Sequence, residues 1–276
     1  METHTVRAAV AATIVALALA GCASAPAVDD GTLQVVASTN VYGDIAHAIG
    51  GAAVTVTSLI SSAAQDPHSF EASARDQLSV AHADVIVANG GGYDPFVETL
   101  VAASGTSAVV VVATDVVGMA EGANEHIWYS LSDMDRVASQ LADTFSELDP
   151  AHSAAYQSNY EVFADGIRML TDRASALTVI ANGAGVVITE PVPLYLLEAS
   201  GLRNLTPVAF TEAIEEGGDV PPSALLQTLA LFDDAEVAVL AYNEQTASRE
   251  TQRVLASAEA GDVPVAYFTE TLPDGL

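Results

Sequence analysis

Residues 149–177 read DPAHSAAYQSNYEVFADGIRMLTDRASAL. Apolar residues recur through this stretch at helical spacing, with no run of β-branched residues and no proline after Pro150, which predicts one helix of nearly thirty residues. Asp149 reads as its cap and Pro150 as its first helical residue. The preceding SDMDRVASQLADTFSEL, residues 132–148, is helical in pattern as well. A helix of that length midway along a chain predicts a rod joining two lobes, although the same amphipathic pattern also suits a surface helix.

On both sides of it the pattern changes. Upstream, LQVVAST (33–39), VTVTSLI (54–60), DVIVANG (84–90) and AVVVVAT (108–114) are separated by segments of helical character. Downstream, GVVIT (185–189), a weaker NLTPVA (204–209), EVAVLAY (236–242) and VPVAYFT (263–269) resume the alternation. Near-continuous apolar strands between helices point to parallel sheet covered on both faces. The predicted fold class is therefore α/β: two lobes, each with a mostly parallel sheet flanked by helices, joined by one long linking helix. No internal sequence repeat is visible.

Composition narrows the function. The 276 residues are half hydrophobic, enough for two cores, and carry 36 acidic residues against 8 basic ones, all of them arginine. A net charge of −28 argues against nucleic acid as a partner and gives a field that attracts cations. Most of these carboxylates read as a solvated acidic surface. Without lysine there is no Walker phosphate loop, and no nucleophile elbow is present.

The start of the chain indicates where it works. Arg7 precedes AAVAATIVALALAG, an apolar run too short to span a bilayer comfortably and closed by small residues, as in a secretory signal. Leu19-Ala20-Gly21-Cys22 resembles the lipobox of bacterial lipoproteins, in which Cys22, the single cysteine here, becomes the acylated first residue. Removal of residues 1–21 discards Glu2 and Arg7 together, so the mature charge stays at −28. With its one thiol acylated, the chain forms no disulfide and offers no thiolate to a metal. The expected boundaries are 1–21 for the signal, 22–32 for the acylated cysteine and tether, 33–149 for the first lobe, 150–178 for the linking helix and 179–276 for the second lobe.

Ligands of open parallel sheets bind beyond the carboxyl ends of the strands. Four side chains able to hold a metal or a proton sit at such ends: His68 after VTVTSLI, His126 after AVVVVAT, Glu190 directly after GVVIT and Glu270 directly after VPVAYFT. Two come from each half, which would place a site between the lobes. Singly they say little, because a lone loop histidine is more often solvated than ligating. Their flanks add to the case: Pro67 stiffens the approach to His68, Ser73 with Asp76 forms a capping pattern, and Pro191 and Pro193 follow Glu190. His47, His82 and His152 fall in helical segments and read as ordinary surface or boundary residues.

Taken together, these blocks resemble the zinc/manganese family of metal solute-binding lipoproteins that serve bacterial ABC importers. VVASTNVYGDIAHAIGG is similar to the family's opening strand and helix, DPHSFEASARDQLSVAHADVIVANGGGYDPFVETL to its first ligand block, EHIWYSL to its second, ITEPVPLYLLEASGL to its third and FTETLPDGL to its last. The resemblance implies one divalent ion, Zn2+ or Mn2+, held between the lobes by His68, His126, Glu190 and Glu270. It also implies delivery to an ABC permease and ATPase complex by a monomer lipid-anchored at Cys22, outside the cytoplasm on the outer face of the bacterial cell membrane. An enzymatic role is not expected.

Three departures from the family pattern carry expectations. Glu125 stands where proline is usual and predicts a looser second loop. Glu270 stands where aspartate is common, leaving Glu244 and Asp274 as substitutes. The sequence stops at Leu276, where such proteins normally continue into a closing helix: either the protein is short or the sequence is truncated, and a covering element of the second lobe is then expected to be missing. The histidine-rich loop frequent in the family is replaced by TDVVGMAEGANE. Two imidazoles and two carboxylates suit zinc in a tetrahedral arrangement, or manganese at higher coordination. Both imidazoles must be neutral to bind, so affinity is expected to fall as pH drops through the histidine range. Two other readings stand beside this one: a zinc hydrolase using the same side chains, although no HExxH helix is present, and an adhesin with a structural metal.

Overall fold

The computed structural model describes residues 31–62, 65, 67, 70–233 and 236–273. The expected signal segment, Cys22 and His68 lie outside the described residues. From Thr32 onward the chain forms one unit built on two sheets.

The first half runs β1 (Leu33–Thr39), α1 (Asn40–Gly50), β2 (Val54–Ile60), α2 (Ala74–Ala81), β3 (Val85–Ala88), α3 (Pro95–Ser104), β4 (Val109–Val112) and the short α4 (Ala113–Val117). Its four strands are parallel, in the order β2-β1-β3-β4. Burial on both faces explains the unbroken apolar runs. Val35, Ala37 and Val87 pack with Tyr42, Ile49 and Phe145 in one cluster. Val36, Ile86 and Ala88, on the opposite side, pack with Val80, Val97 and Leu100. Each buried valine, leucine, isoleucine or phenylalanine contributes about 1.5–3 kcal/mol by leaving water. Ser73 caps α2 as its sequence suggested: its hydroxyl accepts from Asp76 N, and the Asp76 carboxylate accepts from Ser73 N at 2.7 Å.

Helices α5 (Leu131–Leu148) and α6 (Ser153–Ala181) follow. The 29-residue α6 begins three residues later than Pro150 suggested, because Asp149 does not cap it. The Asp149 carboxylate instead accepts from the Tyr156 hydroxyl at 2.8 Å and pairs with His152 Nδ1 at 2.6 Å. The amino-terminal half of α6 is tied to the first half of the chain by Asn159, whose amide donates to Ile49 O at 2.9 Å. Its far end meets the second half at Gly201, where φ is +81° and a Cβ would stand 2.8 Å from Thr178 Cα. Its outer face leaves Val162, Val179 and Ile180 exposed, so it is a rod and a surface helix at once.

The second half runs β5 (Gly185–Ile188), α7 (Leu194–Ala199), β6 (Arg203–Asn204), α8 (Val208–Glu215), α9 (Pro222–Ala230), β7 (Val237–Asn243), α10 (Arg249–Ala260) and β8 (Val265–Phe268). The order β6-β5-β7-β8, again parallel, repeats the topology of the first sheet. NLTPVA contributes less strand than its pattern promised: β6 stops at Asn204, and Val208-Ala209 open α8. Pro207 lacks the N–H that a ladder needs, so it starts a helix instead.

In each sheet the chain leaves its first strand toward one side and returns to the other. The carboxyl ends of β1 and β3, and of β5 and β7, therefore border a switch point, where crevices form. Side chains reaching between the halves close this region. Asn40 exchanges two hydrogen bonds of 2.9 Å with the backbone of Leu272, and the Tyr129 hydroxyl donates to Thr269 O at 2.9 Å.

Candidate metal centre

The turn after β3 holds the first-half side of the site. Gly90, Gly91 and Gly92 all have positive φ, between 66° and 98°, a conformation that costs other residues about 1–2 kcal/mol each. The Asp94 carboxylate accepts from the amides of Asn89 and Gly90 at 2.7 and 2.8 Å, locking the turn. Asn89 in turn donates to Glu125 O at 3.1 Å, joining it to the loop that carries His126. That loop is held at Asn124 and Glu125, whose carbonyls accept from Tyr195 and Asn89, and by the Asn124 side chain.

His126 is 1% exposed. Its ring lies among Trp128 and Tyr93, with centroids at 5.0 and 5.8 Å. Its Nδ1 is 2.7 Å from Asn124 Oδ1. The hydrogen-bond network assigns the tautomer: Pro191 O can only accept, so the Asn124 amide nitrogen, 3.0 Å away, must face it. Asn124 Oδ1 therefore faces the ring and Nδ1 carries a proton, so that in the neutral tautomer the lone pair is on Nε2. This is the second-site acceptor that a ligating histidine needs, and it also ties the second loop to the far lobe. Tyr195 reinforces the tie, its hydroxyl donating to Asn124 O at 2.7 Å.

From the second half come Glu190 and Glu270, 3% and 2% exposed. The Asn243 amide, at the end of β7, spans them: Nδ2 lies 2.6 Å from Glu190 Oε2 and 3.1 Å from Glu270 Oε1. Thr246 donates to Glu190 Oε2 at 2.6 Å, and the Tyr93 hydroxyl crosses from the first half to Glu270 Oε2 at 3.2 Å. Burial first, and then the Glu270 charge, push the Tyr93 phenol well above its ordinary value, so it stays a donor. Gln245 fixes the Glu270 backbone, its Oε1 accepting from Glu270 N at 2.6 Å.

His126 from the first half and Glu270 from the second both meet Tyr93, and Glu190 joins Glu270 through Asn243. Of the two substitutes for Glu270, Glu244 is exposed and Asp274 lies outside the described residues, as does His68. Sequence reasoning missed Asn124, Asn243, Tyr93 and Glu215. Asn243 ends a strand, so the rule that singled out Glu190 also marks it, but an amide had not been counted among metal-site residues. Glu215 ends α8, and its position reflects chain packing that no local pattern reports. Its Oε1 lies 3.6 Å from His126 Nε2, and Glu125 completes a cluster whose ligand atoms fall within 4.8 Å of one another. Burial, followed by the charges of Glu125, Glu190, Glu270 and Glu216, pushes the Glu215 carboxyl up to about 8. A cleft of about 850 Å³ opens beside the cluster, lined by Glu125, Glu212, Glu215, Glu216 and Glu250 among others.

Residues 35–275 match the family described as zinc-uptake complex component A, periplasmic (ZnuA). The chain is 26% identical over 271 residues to the manganese-binding lipoprotein MntA of Halalkalibacterium halodurans, an alignment spanning 94% of this chain and 87% of that one. It is 28% identical over 156 residues to the metal ABC transporter substrate-binding lipoprotein ScbA of Streptococcus cristatus, covering 51% of this chain and 50% of that one. A crystal structure of ZnuA shares the fold with a TM-score of 0.74 at 20% identity, over 88% of this chain and 93% of that one.

Proposed function

We propose, from the premise that the chain belongs to the family of the periplasmic component A of zinc-uptake complexes, that it is the substrate-binding protein of an ABC importer for a divalent transition-metal ion. The observation that carries this reading is the pair of buried carboxylates, Glu190 and Glu270, spanned by one amide, together with a buried imidazole whose Nδ1 is engaged by Asn124. Two buried negative charges held by neutral donors such as Asn243, Thr246 and Tyr93 suit a doubly charged cation, which offsets the desolvation of both at once.

The ligand set we assign is His126, Glu190 and Glu270, with His68 supplying a second imidazole from the loop after β2. The ion is cargo. Its binding sites straddle the two halves, so capture and release involve small changes across contacts such as Asn40–Leu272 and Asn124–Pro191. Manganese and zinc are the ions we assign to it, in line with the manganese named for the H. halodurans relative and the zinc of the family description. We place the protein outside the cytoplasm, as a monomer anchored by lipid on Cys22 and presenting its ion to a permease and ATPase complex. Among the described residues no helix is long and apolar enough to cross a membrane.

Calorimetric titration of chelator-stripped mature protein with Mn2+ and with Zn2+ tests this. One ion per chain is expected, with His126→Ala and Glu270→Ala each weakening affinity by about 100-fold or more, beyond the loss typical of an outer-shell partner. Wild-type protein that binds neither ion would refute the reading.

A further inference from the structure

Helix α8 brings His126 one more carboxylate than the four-ligand set uses. Glu215 Oε1 is shut off from water, has no hydrogen-bond partner among the described residues, and faces His126 Nε2 at 3.6 Å. Glu190 and Glu270 differ in this respect, since Asn243, Thr246 and Tyr93 supply them with donors. A buried carboxyl oxygen left without a hydrogen-bond partner costs about 1–3 kcal/mol, so its position asks for a partner of another kind. The separation fits a cation. With bonds of about 2.0–2.2 Å to nitrogen and oxygen, two atoms this far apart subtend about 120° at an ion lying between them. The spacing is thus compatible with a shared ion, and Glu125 belongs to the same cluster of ligand atoms.

We propose that Glu215 is a fifth protein ligand of the captured ion, supplied by the last turn of α8 from the wall of the acidic cleft. The inference rests on the receptor function above and extends it to selectivity. A third carboxylate makes the set richer in oxygen, which suits manganese or ferrous ions better than the closed tetrahedron that zinc adopts in structural sites. Because Glu215 lies on the cleft side of His126, it also meets the ion first on entry and leaves it last.

The test compares metal-free wild type, Glu215→Gln, Glu215→Ala and Glu190→Ala, titrated with Mn2+ and Zn2+, with X-ray absorption spectra of the loaded proteins. Glu215→Ala is expected to weaken Mn2+ by about tenfold or more, to weaken Zn2+ less, and to remove one oxygen from the manganese shell. The isosteric glutamine preserves shape and is expected to give a smaller change in the same direction. Unchanged affinities and an unchanged shell in both Glu215 variants, with Glu190→Ala impaired, overturn the fifth ligand and leave the receptor reading standing. A wild type that binds neither ion overturns both.

Discussion

At the scale of single residues, the proposed site depends on side chains outside the assigned ligand set. Asn124 sets the His126 tautomer only because Pro191 O fixes which way its amide points. Asn124→Ala is therefore expected to lower metal affinity by about 10- to 100-fold, as for other partners of ligating histidines, with the fold retained. Titration of the variant alongside wild type checks this. Asn124→Asp should retain more affinity than the alanine variant, since a carboxylate still accepts from Nδ1 while losing the bond to Pro191. Glu190 and Glu270 could be singled out in the sequence because strand ends in parallel sheets face ligands. Asn124 could not, because its value comes from a carbonyl 67 residues away.

At the scale of elements, the turn after β3 and the start of α6 each have a local physical reason. Gly91→Ala forces a Cβ into a backbone at φ +66° and to within 2.6 Å of the Met119 methyl, so it should destabilise the protein by about 1–2 kcal/mol in urea unfolding. Metal affinity should fall with it, since the turn shares Asn89 with the His126 loop. Asp149 illustrates a pH effect. Its hydrogen bonds from His152 first and then Tyr156 lower its carboxyl below the ordinary 3.8. A depressed folded value gives stability that is present above 3.8 and lost as pH falls toward the lowered value. Urea midpoints of wild type and Asp149→Asn should thus differ near neutrality and converge in acid. Pattern alone made Asp149 a cap, because a carboxylate before proline favours one. The Tyr156 hydroxyl, one helical turn inside α6, competes for the same oxygen and wins.

At the scale of the whole molecule, charge and topology act together. The net charge of −28 and the acidic cleft should speed cation capture, so the association rate of Mn2+ is expected to drop several-fold between low and about 0.5 M salt, while dissociation changes little. Stopped-flow measurement at several ionic strengths checks this. By itself the sequence determined the layers and their composition: eight apolar strand segments, the helix between the two halves, and the polar residues Glu190 and Glu270 just beyond β5 and β8. Those features are local, since periodicity and strand length are properties of adjacent residues. Only the tertiary structure decided the rest. It revealed that both sheets share one strand order although no sequence repeat marks it, ended β6 at Asn204, and brought Glu215 to His126 across 89 residues of chain. Contacts of that separation depend on how helices pack across a switch point. The energy that places them is spread over two cores instead of being written in any one segment.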